Sequence, residues 1–186
     1  MAGSVLNPLD SEPGHGGSPA DGIVPMANLA ESATAIRLAH ALRDEGVRIL
    51  ANWSMRVATL PVFRALPELA LDELQEDMPQ LFDAILRAVS VSQYELDPAP
   101  LDEASEAAEA HGRKRADAIP IEALMTEFQA LQREVRNALW RLSPDVAVTL
   151  IHELDDRLND VFEAAERSAV VAWVARRSEL ERVADA

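Results

Sequence analysis

The sequence predicts an all-α protein, a bundle of about five main helices with a globin-like arrangement of the same elements as the alternative. Three observations predict it. From about residue 29 onward the chain is rich in Ala, Leu, Val, Glu and Arg and poor in Gly and aromatic residues, a mix that favours helices. Apolar residues recur there at spacings of three and four. No alternating, β-branched stretch suggests a strand.

The elements follow in order. Residues 1–28 hold Pro8, Pro13, Pro19 and Pro25 among Gly3, Gly14, Gly16, Gly17 and Gly22, with few apolar residues and no period. They are expected to form a disordered tail. They lack the basic start and apolar run of a secretory signal. The helical domain is expected over residues 29–175, with 176–186 as the polar end of its last helix.

A first helix is expected from about Asn28 to Thr59, with Asn28 as N-cap and Glu31 completing a capping box. Its apolar positions are Leu42, Ile49, Leu50, Trp53, Val57 and Leu60, and Gly46 marks a bend or a break. Pro61 and Pro67 punctuate the connection. A second helix begins near Leu71 and carries Leu74, Met78, Leu81, Phe82, Ile85 and Val89; Pro79 should kink it or start a new one. A loop spans Tyr94 to Pro100.

The third helix, Leu101 to Ala118, has a thin inner face of Leu101, Ala104, Ala108, His111 and Arg115. Pro120 opens a fourth to Leu142, whose row Ile121, Leu124, Phe128, Leu131, Val135, Ala138 and Leu142 is a bundle seam. Trp140 points away from that seam. Ser143 is the expected N-cap of the last helix, opened by Pro144 and carrying Ala147, Ile151, Leu154, Leu158, Val161 and Ala165 inward. Unbroken to the C-terminus, that helix approaches ~60 Å, against roughly 33 Å for its predecessor. Its run Ala169 to Ala175 is apolar on every side, which predicts burial on every side and a second subunit as the cover. Trp140, Val170, Val171, Trp173 and Val174 are therefore the expected interface residues, so a homodimer is expected.

Composition narrows the chemistry. The absence of Cys excludes disulfides, thiol catalysis and thiolate metal sites, and fits a cytoplasmic location. A formal charge of -15 argues against nucleic acid and anionic membranes as partners. No apolar run reaches bilayer length, so the chain is expected to be soluble. There is no phosphate-binding loop and no nucleophile elbow. His40, His111 and His152 lack the Glu three residues earlier that a di-iron bundle uses. The expectation is a non-catalytic protein with no metal and no cofactor.

Two other readings stay open. His40-Ala41-Leu42-Arg43 and His152-Glu153-Leu154 carry faint phosphoacceptor patterns, which would make this an acidic histidine phosphotransfer protein. His111 and Arg115, one turn apart on an inner face, are candidate ligand-binding residues for haem or an anionic effector.

Trp53 on the first helix, His111-Gly112-Arg113-Lys114-Arg115-Ala116, and the amphipathic Ile121–Leu142 ending Glu134-Val135-Arg136-Asn137-Ala138-Leu139-Trp140 carry a family resemblance. From about Leu38 to Val174 the chain resembles the N-terminal domain of RsbRD-type proteins, the RsbT co-antagonists of bacterial stress signalling. The resemblance implies a helical sensor input domain that regulates a protein partner in a signalling pathway. The output module such a domain precedes does not follow here, which implies a stand-alone input domain or a fragment.

Overall fold

The computed structural model describes residues 26–65, 75–90 and 98–185. Among them there are seven helices and no strand: α1 (Met26–Asp44), α2 (Gly46–Thr59), α3 (Pro61–Arg64), α4 (Met78–Ser90), α5 (Ala99–Ala116), α6 (Ile121–Leu142) and α7 (Val148–Ala184). The expected disordered tail lies almost wholly outside the described residues, as do Leu71, Leu74 and most of the loop before Pro100.

The first helical stretch divides at Glu45, one residue before Gly46. A Cβ there would sit 2.9 Å from the ring of Phe82, so the missing side chain lets α4 press onto the α1–α2 junction. Asn28 does not cap α1, which starts two residues earlier at Met26. Pro79 sits in the first turn of α4, where its missing N–H has no partner to lose.

The thin inner face of α5 is explained by how closely α7 approaches. Ala104, Ala108, Gly112 and Ala116 fall four residues apart on one face, and all are buried. α5 packs on α7, whose buried residues include Ala165, Ala169 and Ala172. A Cβ on Gly112 would lie 2.0 Å from the backbone oxygen of Ala169. Leu101, expected inside, is exposed, because α5 begins at Ala99 and its small-residue row starts at Ala104.

α6 crosses between α2 and α7. Arg141 reaches Glu45 at one end of α2, and Trp53 nearer its other end meets Glu127, so α2 and α6 run antiparallel. Arg136 bonds Asp155 and Asn159 of α7, and Gln132 bonds the same Asn159. The seam residues Leu124, Phe128, Leu131, Val135 and Ala138 are all buried, as their spacing predicts, and Trp140 is 45 % exposed on the outer side.

Ser143 is not an N-cap. Its hydroxyl donates back to the carbonyl of Leu139, closing the last turn of α6. Pro144 to Val146 form a turn, and α7 starts only at Val148. Ala147 is accordingly exposed rather than part of the stripe. With 37 residues α7 spans about 55 Å, and it touches α1, α4, α5 and α6. No helix among the described residues is long and apolar enough to cross a membrane.

Gly112→Ala gains about 1 kcal/mol of helix propensity, yet it should destabilise the chain, because the clash is with backbone that cannot rotate away. A net loss of about 2–3 kcal/mol is expected in urea melts. Gly46→Ala, which meets only a side-chain ring, should lose less. Equal stability of Gly112→Ala and the native chain would show that the α5–α7 approach is looser than described.

Candidate functional site

Position 111 falls on the small-residue face of α5, one residue before Gly112, and 115 lies one turn further on. Both side chains therefore point into the bundle rather than to water. α6 supplies what they face. Leu124, Glu127, Leu131, Glu134 and Ala138 follow one another at spacings of three and four, so two carboxylates ride along the apolar seam.

Glu127 is 0 % exposed, and His111 and Arg115 are each 1 % exposed. Arg115 grips the carboxylate with two bonds, Nη2 to Oε1 at 3.1 Å and Nε to Oε2 at 3.2 Å. His111 Nε2 lies 3.2 Å from Oε2, so the ring carries a proton on that nitrogen and donates it. The indole of Trp53 on α2 donates to the backbone carbonyl of Glu127 at 3.2 Å. Phe128 meets the His111 ring edge-on, with centroids 5.7 Å apart. Nδ1 of His111 has no hydrogen-bond partner among the described residues.

The electrostatics follow from this packing. Burial alone pushes the Glu127 carboxyl up, since a dry carboxylate is poorly solvated. The His111 and Arg115 donors outweigh that and hold it below its ordinary value of 4.5. Around this cluster the helices are tied further. Arg115 also lies 4.0 Å from Asp77, at the start of α4, and Lys114 bonds Asp77 at 2.8 Å. The Asp77 carboxylate, first of all by that hydrogen bond, holds the Lys114 ammonium above its usual value. Glu134, the second seam carboxylate, takes Arg56 of α2 at 2.6 Å.

The two candidate ligand residues are thus brought together, but onto an internal anion. Glu127 occupies the place that an effector carboxylate or phosphate would need. Sequence reasoning missed Glu127 and Trp53 as its partners. The available signal was the pair of donors on an inner face, which requires a buried acceptor, and Glu127 lies on the seam opposite.

The phosphoacceptor candidates lie apart. His40 is exposed on α1 and His152 is exposed on α7, where its ring meets Trp140 edge-on at 5.8 Å. Of the proposed interface residues, Trp173 is half-buried against its own chain and donates to the Ile119 carbonyl at 3.1 Å. Ala169 and Ala172 are buried and Val170 is half-buried. Val171 and Val174 stay exposed, at 63 % and 47 %. The apolar run is covered by its own chain on one side and open on the other. Beside Trp173, the turn from Asp117 to Pro120 and the first residues of α6 line an open cleft of about 460 Å³ with Arg177. Arg177 itself bonds the carbonyl of Ala116, and Arg176 bonds Asp117. No cluster of three or more His, Cys, Asp or Glu side chains that could hold a metal ion occurs among the described residues.

Arg115→Met should cost about 3–5 kcal/mol, because it strands a buried carboxylate. Arg115→Met with Glu127→Leu should recover much of that loss, and chemical denaturation of both variants measures it. Since the folded Glu127 carboxyl titrates below its unfolded value, its stabilisation is complete above about pH 4.5 and is lost as pH falls through the lower folded value. Acid melts of Glu127→Gln should accordingly be flatter than those of the native chain.

Set beside protein-family models, curated proteins and solved structures, the chain matches none of them.

Proposed function

We propose that the chain is a non-catalytic regulatory module, of the kind found at the input end of bacterial stress signalling, that acts as a homodimer and passes its state to a protein partner. The observation that carries the reading is the open side of α7. Val171 and Val174 remain exposed beside half-buried Val170 and Trp173, while Ala169 and Ala172 seal the inner side. Adjacent exposed apolar groups on a long, rigid helix favour association. Trp140, exposed on α6 and backed by His152, adds an aromatic anchor of the type enriched at interfaces.

The packing supports a route for the signal. Gly112 touches the backbone of Ala169, and its neighbour His111 is held by Glu127. Any shift of α5 against α6 therefore moves the segment of α7 that carries the outward valines. Interfaces and packed cores of this sort change between discrete arrangements rather than deforming smoothly.

Sedimentation equilibrium should give the mass of a dimer. Val171→Glu with Val174→Glu should give a monomer with unchanged helicity, because neither side chain is buried by its own chain. Trp173 is the poorer probe, since replacing it also removes the bond to Ile119. A native chain that stays monomeric at high concentration would rule out the homodimer.

A further inference from the structure

Val171 sits midway between two opposite charges on the outer face of α7. Asp160 lies eleven residues before it and Arg182 eleven residues after it. Eleven residues make three helical turns and about 20°, so the three side chains leave the helix almost in line, about 16 Å apart. All three are exposed. Half-buried Ala164 and exposed Val174, Ala175 and Ser178 fall between them, within about 60° of the same line.

The charges at the two ends of this line are unanswered within the chain. Arg176 is held by Asp117 and Glu179, and Arg177 lies against Glu181. Asp160, Arg167 and Arg182 form no ion pair among the described residues. Arg182 uses only its Nε, which donates to the carbonyl of Ser178 one turn back. Charge is also divided along the helix. Residues 148–166 hold six acids and one arginine, whereas residues 167–184 hold four arginines and two acids.

We infer that α7 pairs with α7 of a second copy in antiparallel alignment about Val171, so that Asp160 of each chain meets Arg182 of the other. The inference rests on the homodimer reading and deepens it by naming the alignment. A parallel, in-register pair would set Asp160 on Asp160, Arg167 on Arg167 and Arg182 on Arg182, with the two acidic halves side by side. Reversing one helix sets the acidic half of each copy along the arginine-bearing half of the other. It makes two symmetric ion pairs that flank Val171 against Val171. Bulk is matched as well, because Arg167 falls opposite Ala175 and Ala164 opposite Ser178. Glu163 and Glu179 come to the same level but on opposite edges of the seam. Two chains of charge -15 repel at long range, so local attraction decides which alignment forms.

The chain contains no cysteine, so a single nitroxide label can be attached to the full protein at one chosen site. Val183→Cys places it at an exposed position off the seam. In the antiparallel pair the two labels are offset by about 36 Å along the helices, and pulsed electron paramagnetic resonance should read about 40 Å. A parallel pair should read about 25 Å or less. Asp160→Arg should raise the dimer dissociation constant about tenfold or more in sedimentation. Asp160→Arg combined with Arg182→Asp should return it to within about threefold of the native value. Both positions are exposed, so circular dichroism should be unchanged. Labels at about 25 Å, a dimer indifferent to Asp160→Arg, or a charge swap that recovers nothing would each overturn the antiparallel pairing while the homodimer stands. A native chain that sediments as a monomer ends the homodimer reading itself, and the pairing with it.

Discussion

A carboxylate shut away from water must be answered by fixed charge or hydrogen-bond donors, and in this bundle Glu127 is answered by His111 and Arg115. Because both donors sit on α5 and the acceptor on α6, the two helices can meet in one register only. Trp53 donates to the backbone at the same residue, so α2 is set at the same level. A buried ion pair adds little net stability compared with apolar residues of the same shape. Its effect is to penalise every alternative packing that would leave one partner behind. Apolar packing around it supplies the bulk of the favourable energy, through the row from Leu124 to Ala138 and the facing residues of α2 and α7.

The second constraint is steric. Ala104, Ala108, Gly112 and Ala116 let α5 lie close against α7, most clearly where Gly112 approaches the backbone of Ala169. That closeness brings the end of α5 within reach of Trp173, Arg176 and Arg177, which bond the α5–α6 turn. The long C-terminal helix is thus clamped well past its midpoint, and its outward valines are presented at a defined orientation. A rigid helix that is sealed on one side and open on the other suits association with a partner better than it suits enclosing a small ligand.

Surface charge divides the molecule in a way that bears on partners. The strong negative charge keeps like chains apart at long range, while α2 lacks any acid and shows an apolar row. Two helices, α7 and α2, thus carry exposed apolar residues. The first carries Arg167 together with exposed Asp160 and Glu163, and the second is flanked by Arg48 and Asn52, with Met55 as its largest apolar side chain.

The sequence by itself determined the helical class, most helix positions and the α6 seam, because each depends on spacing along one helix. Gly46 as a break, Pro79 as a start and Trp140 as an outward residue were legible for the same reason. Local patterns misplaced the caps: Ser143 has the right chemistry for an N-cap, but its nearest carbonyl lies back in α6. Only the tertiary structure decided what covers what. His111 and Arg115 could be placed on an inner face from their spacing, but the anion that meets them comes from another helix. The apolar run near Trp173 predicted full burial, whereas a neighbouring turn covers one side and leaves Val171 and Val174 open. Period records which residues share a face; which surface meets that face is set by packing between residues far apart in the chain.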